Sequence, residues 1–154
     1  MADSLTLHGS CVSIDGRGVL ILGEPGSGKS DLVLRLIDQP GFGVTRILRA
    51  AHLVADDQVV IRREADALIA SAPSRLSGKL EVRGLGIVAV PAAEPVSLLL
   101  AVRLCPHQHI ERLPEFPATP FHCLGMDLPL VLIDPSTASA PARIRAAIDH
   151  LGRP

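Results

Sequence analysis

One eight-residue stretch constrains this chain more than any other. Residues 23–30 read GEPGSGKS, with Gly23, Gly28, Lys29 and Ser30 at every fixed position of G-x-x-x-x-G-K-[ST]. Such a loop works only between a buried strand and a helix, and both flanks are present. The preceding VLIL (19–22) is a continuous apolar run, expected of a strand covered on both faces. The following KSDLVLRLID places Leu32, Val33, Leu36 and Ile37 at helical spacing and stops at Pro40 and Gly41. The spacing suits phosphate. Along Gly23, Glu24, Pro25, Gly26, Ser27 and Gly28, the glycines let backbone N–H groups turn inward. Lys29 adds a point charge, the Ser30 hydroxyl can ligate Mg²⁺, and the helix adds its positive end.

Composition narrows what surrounds this loop. The 154 residues fit one domain, and 47% are apolar, nearly all aliphatic, with three Phe and no Trp or Tyr. A formal net charge of −1 gives no basic footprint, and aromatic stacking platforms are missing, so nucleic acid is not an expected partner. The first ten residues carry neither a basic nor an apolar signal region, and no apolar run approaches a membrane span. Cys11, Cys105 and Cys123 are odd in number and irregularly spaced, as expected of free thiols in a reducing cytoplasm.

Strand-like runs recur at HLVADDQVVI, ALIAS, KLEVRG, GIVAV, VSLLLAVRL and LPLVLI, whereas only two segments make convincing helices. LHGSCVSID is a further weakly alternating strand, ending at a hairpin signal, DGRG. The second helix starts near Ser139, has Pro141 in its first turn, and aligns Ile144, Ile148 and Leu151 as an ordinary amphipathic packing face or a face for a neighbouring subunit. The stretch CPHQHIERLPEFPATPFHCLGMDLP reads as a long, partly extended connection. The fold class is therefore α/β, with a mixed, strand-rich sheet.

Two further segments carry candidate chemistry. LVADD places Asp56 and Asp57 side by side; neighbouring strand residues point to opposite faces, so both meet one ligand only if the chain turns there. They make either a polar turn between two strands, or a base with metal support beside the phosphate loop. In KLEVRGLGIVAV, Glu81 and Arg83 share a strand face ahead of Gly84 and Gly86. This is either an exposed ion pair beside a bulge, or a metal ligand and a phosphate contact. The histidines of CPHQH and the pair His122-Cys123 match no zinc spacing and read as surface residues of a connecting loop. Arg75, Lys79 and Arg83 form a loose basic group on a solvated face or a docking patch for an acidic protein surface.

Taken in order, His8-Gly9, GEPGSGKS, LVADD and LEVRGLGIV resemble the catalytic C-terminal domain of HPr kinase/phosphorylase, over roughly residues 5–135. The resemblance implies a P-loop nucleotide-binding domain similar in its core to phosphoenolpyruvate carboxykinase. It implies transfer of phosphate from ATP, with Mg²⁺, to a serine of HPr or an HPr-like phosphocarrier of the phosphotransferase system. By that likeness Asp56 is the general base, with Asp57 supporting the metal and phosphate beside it. Ser30 and Glu81 hold Mg²⁺, Lys29 holds the phosphates, His8 approaches the reacting phosphate or Asp56, and Arg83 contributes to the nucleotide site. A homo-oligomer, a hexamer, is also implied.

The departures shape the remaining expectations. Residues 1–7 leave no room for the family's N-terminal domain, so 1–154 is expected to be a single catalytic domain. The link GFGVTRILRAAHL is longer than usual, and no V-x-x-G-R-N segment follows the last strand, which argues against phosphorylase activity. A nucleotide-binding regulatory module and a small-molecule kinase are the alternative functions.

Overall fold

The computed structural model describes residues 3–115 and 119–151. Pro117, in the proline-rich connection, and the two extreme ends of the chain lie outside the described residues. In chain order the elements are β1 (Ser4–His8), β2 (Ser10–Ile14), β3 (Arg17–Leu22), α1 (Lys29–Asp38), β4 (Ala51–Ala55), β5 (Gln58–Glu64), β6 (Ala67–Ser71), β7 (Lys79–Val82), β8 (Gly86–Ala89), β9 (Val96–Leu104), β10 (Phe121–Cys123), β11 (Met126–Leu128), β12 (Leu130–Ile133) and α2 (Ala140–Leu151). The expected strand-rich α/β composition is what the chain adopts, with two α-helices among the described residues.

The main sheet runs β1-β5-β6-β9-β3-β2-β4, and β12 also pairs with β9. It is mixed: β3 and β12 both lie parallel to β9, while the other pairings are antiparallel. Asp15 and Gly16, both at positive φ, make the two-residue turn between β2 and β3 that the DG dipeptide signals.

Alternation along β3 divides the interior in two. Val19 and Ile21 face the layer containing both helices, packing with Leu32, Val33, Leu36, Ile144 and Ile148. Leu20 faces the opposite way, into a second core with Cys11, Val54, Val59, Ile61, Leu68 and Ala70. All of these are fully or nearly fully buried, each leucine-sized side chain contributing about 1.5–3 kcal/mol. Covering on both faces explains why VLIL reads as an unbroken apolar run.

Two local features differ from the sequence-based expectations. LHGSCVSID is two strands, β1 and β2, that join different parts of the sheet. The break is Gly9, where a Cβ would stand 2.9 Å from the Ile21 carbonyl oxygen. The connection after β9 contains an antiparallel hairpin, β10–β11, whose turn residues Leu124 and Gly125 both have positive φ. Leu is a rare occupant of that conformation, so no turn signal marks the hairpin. His107 and His109 lie exposed in a short 3₁₀ turn of that connection, as surface residues of a loop. The three cysteines are free thiols.

The segment between α1 and β4 is closed at its base by mutual backbone hydrogen bonds between Gly41 and Arg49. Beneath it sits a charged network. Arg49 Nη2 lies 2.8 Å from Asp149 Oδ1, and Arg49 Nη1 lies 3.4 Å from Asp15 Oδ2. Arg145, buried in α2, donates to the Arg49 and Leu36 carbonyl oxygens. Burial lowers its pKa from the ordinary arginine value, with Asp15 opposing the shift.

Candidate active site

The carboxyl ends of parallel strands, where chain direction reverses into loops, are the usual place for a ligand crevice in an open α/β sheet. β3 ends there at Leu22 and passes into the glycine loop. A turn closes on the Ser27 N–H donating to the Glu24 carbonyl at 3.0 Å. Gly26 and Gly28 take φ of 79° and 102°, which a side chain would oppose, and a Cβ at Gly23 would collide with Ser27 Oγ. No side chain caps α1 at Gly28, so its first N–H groups remain available to an anion. Ser27 Oγ is buried against Gly23 without a hydrogen-bond partner.

Lys29 curls back over this loop, its Nζ donating to the Gly23 and Glu24 carbonyls at 2.8 and 2.9 Å. Burial lowers the Lys29 pKa from the ordinary lysine value, partly offset by Asp56, Asp57 and Glu24. Phosphate binds the charged ammonium. Affinity should therefore hold while free Lys29 is protonated and fall as pH rises through its lowered pKa. Calorimetric titration of ATP from neutral to alkaline pH should show this decline beginning earlier than for an exposed lysine. Lys29→Arg should remove most of the decline, because guanidinium keeps its charge.

The acidic pair sits directly opposite. β4 ends at Ala55, and the Gln58 N–H donates back to the Asp56 carbonyl at 2.8 Å, with Asp57 at φ 71° between them. This three-residue turn lets adjacent aspartates serve one cleft, which an unbroken strand would forbid. ADD is thus the polar turn between two strands, and that turn lines the cleft.

Asp56 is buried and Asp57 exposed. Ser30 Oγ donates to Asp56 at 2.8 Å (Oδ1) and 3.1 Å (Oδ2), Ser10 Oγ donates to Oδ1 at 2.9 Å, and the Glu81 N–H donates to Oδ2 at 3.2 Å. His8 stands beside Asp57 rather than Asp56, its Nδ1 3.5 Å from Asp57 Oδ1.

β7 and β8 form a separate two-stranded sheet across the third side. Leu80 is buried in the helical core and anchors this hairpin. Glu81 and Arg83 border the cleft, while Gly84 and Gly86, at φ 91° and 98°, flank Leu85 in the connection between the strands. The glycines therefore make a tight turn rather than a bulge.

The resulting cleft has a volume of about 550 Å³ and brings together His8, Asp56, Asp57, Lys29, Ser30, Glu81 and Arg83, with Pro25, Gly26 and Gly28 of the loop. Among the described residues, no three His, Cys, Asp or Glu side chains form a group able to hold a metal ion by themselves. Mg²⁺ usually takes one or two protein carboxylates and completes its shell with substrate phosphates and water.

Sequence reasoning missed one residue of the cleft and one that braces a loop beside it. Ser10 is fully buried and lies within the strand after Gly9, with no local motif to mark it. Arg35 pairs with Asp31 one turn earlier and donates to the Pro135 carbonyl at 2.6 Å, fastening the loop after β12 against α1. The i,i+4 spacing of Asp31 and Arg35 was the available signal for the first of those contacts.

A strand, glycine loop and helix facing an acidic turn, on a mixed and strand-rich sheet, define a P-loop phosphate-binding domain. Known proteins make the class specific. A family model described as HPr Serine kinase C-terminal domain matches residues 1–94, and the chain belongs to that family. HPr kinase/phosphorylase of Clostridium tetani is 43% identical over 103 residues, 67% of this chain and 30% of that protein. The Clostridium acetobutylicum protein of the same name is 42% identical over 101 residues, 66% of this chain and 30% of its own length. The chain thus matches under a third of each of these relatives. A solved structure, of the Hpr(Ser) kinase/phosphatase from Coxiella burnetii, superposes with a TM-score of 0.72 at 30% identity, covering 95% of both chains.

Proposed function

We propose that this chain is an ATP- and Mg²⁺-dependent kinase that phosphorylates a serine of HPr or an HPr-like phosphocarrier of the phosphotransferase system. The observation that carries this is the contact between Ser30 of the phosphate loop and Asp56, which joins a phosphate cradle and a buried carboxylate in one cleft.

The transfer is a single in-line displacement. The acceptor serine oxygen attacks the γ-phosphorus of ATP, its proton passes to Asp56, and the bond to the β-phosphate oxygen breaks to release ADP. Lys29 and the loop N–H groups hold the phosphates throughout, so catalysis rests mainly on positioning and charge stabilisation. Ser30, Glu81 and Asp57 are the residues that would hold Mg²⁺, which when bound would neutralise phosphate charge. His8 supports Asp57, and Arg83 reaches the nucleotide or the acceptor from the hairpin.

The Coxiella burnetii protein, matched over 95% of both chains, is called a kinase/phosphatase. The reverse reaction, attack of inorganic phosphate on the phosphoserine, is part of this proposal, against the expectation drawn from the missing V-x-x-G-R-N segment. A cytoplasmic location and homo-oligomeric assembly, as a hexamer, belong to the same proposal. Exposed Phe42, Val44, Ile47 and Leu48 supply apolar surface suited to such contacts, and no described helix is long and apolar enough to cross a membrane.

The test is transfer of label from γ-labelled ATP to HPr. Label on a serine of HPr is expected, followed by its release when inorganic phosphate is added. ATP binding without transfer would instead indicate a regulatory module. Label moving to a metabolite in preference to HPr would indicate a small-molecule kinase.

A further inference from the structure

Asp56 and Asp57 are clamped by consecutive residues of one segment. The Gly9 N–H donates to the Asp57 carbonyl at 3.1 Å, and the Ser10 hydroxyl donates to Asp56 Oδ1 at 2.9 Å. Ser10 is fully buried, so water cannot replace that donor at no cost.

The acceptor sites of the carboxylate can be counted. Two oxygens offer about four lone-pair positions. On Oδ1, Ser10 and Ser30 fill both. On Oδ2, the Glu81 N–H fills one, and Ser30 makes only its longer approach there. One position on Oδ2 is left, on the oxygen that bears the weaker share of Ser30.

We propose that Ser10 is a positioning residue for the phosphoryl transfer: it occupies Oδ1 of Asp56 and so commits Oδ2 to receive the proton of the acceptor hydroxyl. This rests on the kinase function proposed above. Ser30 keeps its hydroxyl proton on Asp56 while its oxygen lone pairs remain free for a cation. The orientation of the carboxylate must then survive any adjustment of Ser30 when nucleotide binds, and Ser10, remote from the phosphate loop in sequence, supplies the fixed point. Without it, Asp56 can rotate so that Ser30 and the incoming hydroxyl compete for the same oxygen.

Ser10→Ala should lower kcat for HPr phosphorylation about tenfold, the effect of one hydrogen bond to a charged group. KM for HPr and the calorimetric affinity for ATP should stay near wild type. Ser10→Thr, which retains the hydroxyl, should recover most of the rate. In an Asp56→Asn background, Ser10→Ala should cause little further loss, because it acts through Asp56. If the alanine variant does not fold, Ser10→Cys, with its weak S–H donor, should give the same kcat loss.

An unchanged kcat in Ser10→Ala, a loss confined to KM or to folding, or full additivity with Asp56→Asn overturns the assignment. Wild-type protein in the same assay separates the two proposals. An active wild type with an equally active Ser10→Ala defeats only the role of Ser10, whereas a wild type that binds ATP and labels no acceptor defeats both.

Discussion

Asp56→Asn is expected to reduce phosphoryl transfer to HPr by about 10²–10⁴-fold, the usual contribution of a positioned general base. The substitution preserves volume while removing the proton acceptor. Asparagine has one acceptor oxygen and one NH₂ group. Its oxygen will turn toward Ser10 and Ser30, which otherwise would leave two donors unsatisfied. The NH₂ then faces the Glu81 N–H and offers nothing to the proton of the acceptor serine. ATP affinity should change little, since the glycine loop and Lys29 remain in place. Single-turnover label transfer, with calorimetric ATP binding alongside, measures both quantities. A variant that loses ATP binding and transfer together would make Asp56 part of the nucleotide site rather than its base.

The second large effect concerns stability. Asp149→Ala should lower the free energy of unfolding by about 3–5 kcal/mol, because it leaves a buried arginine without its main partner. Arg49 is only 6% exposed, its closest carboxylate is Asp149 at 2.8 Å, and Asp15 stands farther off at 3.4 Å. The Arg49 carbonyl also receives the Arg145 side chain, so the loss spreads to the contact between α2 and the end of α1. Domains are stable by roughly 5–15 kcal/mol, which makes this a large share of the total. Urea denaturation of the two proteins tests it. A fall below about 1 kcal/mol would place the pair with ordinary surface bridges.

The parts of this molecule that were legible in the sequence are those whose physics is local. VLIL, GEPGSGKS and KSDLVLRLID specify strand, loop and helix within residues 19–38, and the structure repeats that order. ADD and LEVRGLGI were legible as candidates, but whether they faced the phosphate loop depended on the turn at Asp57 and the burial of Leu80. Neither follows from periodicity. Ser10 was illegible for a stronger reason. Its contact with Asp56 spans 46 positions and is set by the pairing of β2 with β4, whose register shifts between Cys11 and Val12. A one-residue slip would send the hydroxyl to the other face.

Arg145 shows the same limit. Beside Ile144 on an amphipathic helix, it reads as a solvated charge, yet it is 1% exposed. Its acceptors are backbone carbonyl oxygens, Leu36 and Arg49, and a carbonyl is present at every residue. No side-chain pattern announces such a partner.

β9 has a consequence for how the molecule comes into being. It meets β6 at Val96 and Ser97, follows β3 along Leu98–Arg103, and meets β12 from Ala101 onward. The strand feeding the phosphate loop thus has as its parallel neighbour a segment some eighty positions later in the chain. During synthesis, residues 17–22 leave the ribosome long before Leu98–Arg103 exist, and pairing across that separation carries a large loop-closure cost. The nucleotide cradle, early in the sequence, therefore waits for β9 to complete its parallel floor. Until β9 arrives, β3 is paired on its β2 side alone and its other edge stays open, and that interval is when chaperone contact has most to offer.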